Sequence, residues 1–281
     1  MVLESSIIEL AAWMRTPAGQ CLLRWEQMHI DEAVADVFGY HALQLGLPEL
    51  HALRANRMPH RWVASDSMQE LQPLAVPLSA DDESLSQPFN ADAALHCDFD
   101  ALPFPNQSLD LVVLPHALEL SRDPHLTLRE VERVLVPDGR VMILGFNPAS
   151  MWGLRQRLGR ARGAVGLGGR QALFLPRGGE FLGYWRLRDW LRLLSFEVEG
   201  GRFGCFRPPY ASARWLERSA WIEGVGERWW PVFGAAYFLV AVKRVRGMRL
   251  VGLARQEARS ARTANAVVAH RQRRLPEEIC E

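Results

Sequence analysis

Cysteine is scarce: the 281 residues hold four, at positions 21, 97, 205 and 280, far apart and without a C-x-x-C pair. That usage suggests neither a zinc site nor a disulfide framework. No apolar run approaches the roughly 20 residues needed to span a bilayer. The opening Met-Val-Leu-Glu-Ser-Ser-Ile-Ile-Glu carries acids where a secretory signal needs bases. The expected location is therefore cytoplasmic, with no membrane span. No internal repeat is present, and no G-x-G-x-x-G follows a strand, so a dinucleotide-dependent dehydrogenase is the weakest of the readings considered. With 48% hydrophobic residues the chain can bury a large core, near the upper end for one domain with decorations.

What is present is concentrated between Cys97 and Gly145. Leu109, Leu111, Val112, Val113 and Leu114 make a short apolar run bounded by Asn106-Gln-Ser and Pro115, the pattern of a fully buried parallel strand. His116 and Glu119 then follow its carboxyl end, the edge where open α/β sheets bind ligands. Asp110 has a plain reading as a strand-start residue and Phe104 as a core anchor, against a ligand role for either. Downstream, Asp123 can cap a helix whose first position is Pro124, with Leu128, Val131, Val134 and Leu135 on one face and Pro137-Asp138-Gly139 as the stop. Val141-Met-Ile-Leu-Gly145 is a second buried strand. Strand, helix and strand in this order make a short crossover of parallel type.

Asp98, Asp100, Leu102, Pro103, Phe104, Ser108, Asp110 and Val112 fall on a D-x-E-x-LPF-x-x-x-S-F-D-x-V pattern. This block resembles the acidic loop and fourth strand of class I S-adenosylmethionine (SAM) dependent methyltransferases. "LREVERVLVPDGRVMILGF" resembles the helix-to-strand passage of the same enzymes. A narrower likeness, to YafS-like bacterial methyltransferases, rests on Trp13 with Thr16-Pro17 and Gly19, "FGYHALQLG", "LPHALE", "GFNPASMWGLR", "WLRLLSFEV" and "FRPP", which together span about residues 10 to 245.

The resemblance implies an α/β fold: a Rossmann-like, seven-stranded methyltransferase sheet with helices on both faces and an N-terminal helical cap. It implies SAM as cofactor, bound through Gly46 after the first strand, Asp66 after a second strand at Arg61 to Ser65, and Asp98 and Phe99 after a third strand at Ala93 to Cys97. Leu114 and Pro115 at the end of the fourth strand complete the set. In the family an acid after the second strand holds the ribose, since a carboxylate accepts two hydrogen bonds from a cis-diol, and the acid at 98 meets the adenine amine. The glycine loop departs from the family pattern: Gln44 stands where Asp is usual, and Leu47 and Pro48 replace flexible positions, which narrows the loop's conformations. Catalysis in such enzymes is chiefly positioning. His116 is the general-base candidate, because an unperturbed imidazole titrates near neutrality, about 6.5.

The domain reading has three parts. Residues 1–38 form a helical cap, with Thr16-Pro17-Ala-Gly19 as a break between two apolar stripes and Trp13 and Trp25 in the core. Residues 39–244 form the methyltransferase domain, and residues 245–281 a basic, disordered tail. Within the domain, 147–183 is an insert rich in Gly and Arg, and from Arg155 to Arg188 there are eight arginines against the single acid Glu180. Trp190, Leu191, Leu193 and Leu194 are expected on the buried side of a helix, and Phe196–Val198, Gly204–Phe206 and Ala235–Val242 are expected in an antiparallel final pair. The functional expectation is transfer of a methyl group from SAM to an unidentified acceptor, a small molecule. The alternative is a non-catalytic protein of this fold that binds RNA or a protein through the basic insert and tail, with weak nucleic-acid contact.

Overall fold

The computed structural model describes residues 9–66, 93–164, 173–176 and 181–245. The segment 67–92, parts of the basic insert and the tail from 246 lie outside the described residues, so the readings of those stretches stay as expectations.

Seven strands form one sheet: β1 (His41–Leu45), β2 (His60–Ser65), β3 (Ala93–His96), β4 (Leu109–Pro115), β5 (Leu135–Phe146), β6 (Phe196–Gly204) and β7 (Ala236–Lys243). Their order is β3-β2-β1-β4-β5-β7-β6. The first five pair in parallel, and β7 runs antiparallel to both of its neighbours. The chain order reverses between β1 and β4, and such a switch point opens a crevice outside the strands' carboxyl ends.

Alternation along the buried strands sends side chains to two separate layers. Leu111, Val113, Met142, Leu144 and Phe146 pack with Leu22, Ile30 and Val34 of helix α1 (Pro17–Ala35). Val112, Leu114, Val141 and Ile143 pack on the other face with Leu128, Val131 and Val134 of α3 (Pro124–Val134) and with Leu187 and Leu191 of α5 (Tyr184–Leu193). A single turn, α2 (Ala117–Leu120), follows β4, and α4 (Met151–Ala164) follows β5. Two short helices, α6 (Ala213–Arg218) and α7 (Trp221–Trp229), lie between β6 and β7. Among the described residues no helix is long and apolar enough to cross a membrane.

The local signals act where the residue types place them. Asp123 accepts hydrogen bonds from the backbone N–H groups of His125 and Leu126, at 2.9 and 3.2 Å, and Pro124 occupies the first turn where no donor is needed. Thr16 does not merely break the N-terminal stripe: its hydroxyl accepts from Gly19 N–H at 3.2 Å and starts α1, with Pro17 in the first turn. Asp110 takes the plain reading. Its carboxylate accepts from Tyr40 and His41 N–H at 2.8 and 2.9 Å and clasps the start of β1 to β4.

Two details differ from expectation. The helix after Asp123 ends at Val134, before Pro137, and the chain passes directly into β5, where the pairing with β4 shifts register between Leu109 and Leu111. Leu193, expected on the buried side of α5, is 83% exposed; Leu187 and Leu191, four residues apart, carry that face.

Candidate functional site

The carboxyl edge of the sheet gathers the residues singled out above. Gly46 ends β1 at φ 79°, a conformation glycine adopts without strain. Its Cα faces the Phe99 ring, the Ala117 methyl and the Pro115 carbonyl, all about 3.5–3.6 Å from where a side chain would begin. Gly46, Phe99 and Pro115 therefore meet. Phe99 and Leu114 are buried in the same layer.

The loop after Gly46 is held by Gln44. The side-chain amide donates to the carbonyls of Gly46, Leu47 and Leu50, at 3.2, 3.0 and 2.7 Å, and its oxygen accepts from Ala52 N–H at 3.0 Å. An ionised aspartate has no donor to offer three carbonyls, which explains why Gln suits this loop. Leu47 takes φ 37° and is buried, an apolar side chain held in a left-handed backbone conformation that glycine adopts more readily.

Asp66 directly follows β2, and Asp98 lies two residues past β3. Their carboxyl groups are close neighbours. Burial and then the charge of Asp98 hold the Asp66 carboxyl above its usual range, while Arg122 pulls the other way. The backbone supports this corner: Cys97 N–H donates to the Ser65 carbonyl at 3.2 Å, and the His96 ring contacts the same oxygen at 3.1 Å. Asp98 is exposed and Asp66 half-buried, so acceptor oxygens for hydroxyl or amine donors face outward here.

At the end of β4 the chemistry is different. His116 has φ 55° and is fully buried. Its Nδ1 meets Glu119 Oε2 at 2.9 Å, and its Nε2 meets Glu26 Oε1 of α1 at 2.8 Å. Burial opposes the charged ring, but the charge of Glu26 and the hydrogen bonds to both carboxylates prevail, and the imidazole is pushed up to about 10. Both nitrogens thus carry protons near neutral pH, and no lone pair is left to accept another. Glu119 is raised by its own burial and is held by Phe146 N–H at 2.6 Å. Tyr237 closes the cluster: a side chain at Gly145 would begin 2.5 Å from its hydroxyl, so this position admits no Cβ.

The sequence pointed to Gly46, Asp66, Asp98, Phe99, Leu114, Pro115 and His116, and all seven lie at or just beyond the carboxyl ends of β1 to β4. The structure joins them in two separate groups. Glu26 escaped notice, although a signal existed. It lies four residues from both Leu22 and Ile30, an acid in the middle of the apolar stripe of α1.

A family model described as a methyltransferase domain matches residues 54–143, from before β2 into β5. The chain is 27% identical over 274 residues to the uncharacterized protein YafS of Escherichia coli K12, covering 97% of this chain and 96% of that one. The chain is thus similar to YafS along nearly its whole length, and residues 54–143 carry the match to a methyltransferase domain. A shorter likeness, 41% over 58 residues, links a fifth of the chain to a malonyl-[acyl-carrier protein] O-methyltransferase of Halorhodospira halophila. Among solved structures, a methyltransferase in complex with the Haloferax volcanii Trm112 methyltransferase activator superposes with a TM-score of 0.55. That match has 18% identity and covers 87% of this chain and all of that one. It shows the same fold.

Proposed function

We propose that the chain is a SAM-dependent methyltransferase acting on a small acceptor. The observation that carries this reading is the Asp66–Asp98 pair at the ends of β2 and β3, beside the meeting of Gly46, Phe99 and Pro115. SAM supplies an electrophilic methyl group on a sulfonium. The acidic pair would offer acceptors to the ribose hydroxyls and the adenine amine, beside the buried apolar floor of Phe99 and Gly46. Hydroxyl or amine donors at this corner would relieve the like-charge contact of the two carboxyls.

In this reading His116 is a positioning residue. Its imidazolium ties α1 to the end of β4, and the reaction proceeds by alignment of acceptor and methyl group rather than by proton removal at this ring. His116→Gln is expected to keep measurable turnover while the protein becomes less stable. Complete loss of turnover in a folded variant with intact SAM binding would return the ring to a role as base.

Calorimetric titration with SAM and S-adenosylhomocysteine tests the cofactor. Micromolar binding that falls at least tenfold in Asp98→Ala is expected, a loss of about 1.4 kcal/mol or more. A second reading, a non-catalytic binder of this fold, is favoured by the four hydrogen bonds with which Gln44 fixes the glycine loop. Absence of binding at millimolar ligand would support it. So would salt-dependent RNA binding that is lost on removal of residues 245–281.

A further inference from the structure

Cys21 and Cys205 are remote in sequence and meet in the fold. Cys21 lies on α1, one turn before Trp25, and the Trp25 ring packs so closely on Gly204 that a Cβ there would fall 2.0 Å from it. The same contact brings Cys21 beside Cys205, near enough for each thiol to alter the other's acidity. Cys21 is partly exposed, Cys205 is buried, and both are free thiols. The spacing of the cysteines suggested no disulfide framework; the fold nevertheless makes this one pair.

We propose that Cys21 and Cys205 form a peroxide-responsive dithiol whose oxidation staples α1 to the end of β6. The Cys21 thiolate attacks one oxygen of hydrogen peroxide; the O–O bond breaks and hydroxide leaves, taking a proton to become water, with a sulfenic acid left on Cys21. The Cys205 sulfur then attacks the Cys21 sulfur; the S–O bond breaks and a second water leaves with the thiol proton. Two thiols are oxidised, one peroxide is reduced, and a disulfide remains.

The surroundings favour this order of attack. The neighbouring Cys205 thiol, reinforced by Arg207 and Arg24 against burial and the charge of Glu223, brings Cys21 down to about 7, which favours its thiolate over that of an ordinary thiol. Burial and the charges of Asp66 and Asp98 push Cys97 up to about 11, which leaves it as the inert thiol of the domain. Cys205 is raised and buried, the property of a resolving thiol that waits for its partner. Glu26 follows Cys21 on the same helix, so the bridge also fixes the residue that holds His116.

The test uses the reduced full-length chain and stoichiometric hydrogen peroxide, followed by alkylation and peptide mapping without reductant. The expected product is a Cys21–Cys205 cross-link with Cys97 unmodified, accompanied by a higher melting temperature. In Cys205→Ala, dimedone is expected to trap a sulfenic acid at Cys21. Oxidation of Cys21 without the cross-link, or of Cys97 ahead of it, would overturn the proposal. A readout independent of any variant is the pH profile of Cys21 alkylation by iodoacetamide in the native protein. A midpoint near 7 is expected, and one at or above an ordinary thiol's, about 8.5, overturns it.

Discussion

The two ends of the ligand edge hold charge in opposite ways. Past β4, His116 is sealed between Glu26 and Glu119, opposite charges out of reach of water. Past β2 and β3, Asp66 and Asp98 bring like charges together, with Asp98 in the open. The first arrangement is complete in itself, whereas the second is relieved by a donor from outside. Titratable residues at a sheet's carboxyl edge are thus not equivalent candidates. A partner count separates the closed corner from the open one.

The sharpest way to break the contrast is to leave the sealed corner with one partner missing. Glu26→Ala strips a buried cation of one counter-charge and is expected to cost about 3–5 kcal/mol of unfolding free energy, read by urea denaturation. Asp98→Ala, an exposed change, is expected to cost under about 0.5 kcal/mol in the same assay. Comparable losses from the two would erase the distinction.

Acidity separates the corners less drastically. The folded His116 pKa lies above that of an unfolded histidine, so its stabilisation is full below about 6.5 and is lost as pH rises toward about 10. Each pH unit in that window removes about 1.4 kcal/mol, so unfolding free energy should fall by about 2–3 kcal/mol between pH 6.5 and 8.5. Glu119, also raised, acts in the same direction from its own unfolded value upward. His116→Gln should flatten the profile, and an unchanged slope in that variant would assign the dependence to other groups.

The smallest effect belongs to the open corner. Asp98→Asn removes the like charge next to Asp66, and the Asp66 carboxyl should return toward its ordinary value in a carbon-13 titration. An unmoved titration would mean that burial alone, not the pair, sets its acidity.

Most of the central fold was readable because its signals are short-range. Asp123 and Pro124 mark a helix start within a few residues, and the apolar run from Leu109 is a strand that needs no distant partner to be recognised. Leu193 misled because apolar character near a helix end does not fix which side it faces. The resemblance placed Asp66 after the second strand and Asp98 after the third, and the parallel pairing of β2 with β3 brings those ends together. The sealed corner was not legible. His116 announced itself as a titratable group at a strand end, but the residue that decides its protonation, Glu26, is 90 positions away. The Cys21–Cys205 contact was hidden for the same reason: two single residues on remote segments leave no spacing to read.

The clasp between Glu26 and His116 also bears on how the chain comes into being. Synthesis makes α1 early, with an acid set into its apolar stripe, long before the imidazole that receives it leaves the ribosome. Until β4 has emerged and paired, that helix has no completed face to join, and its burial must wait for contacts between distant parts of the sequence. An element synthesised early is thereby among the last to be secured. Nascent chains halted before residue 116 should leave α1 open to proteases and chaperones.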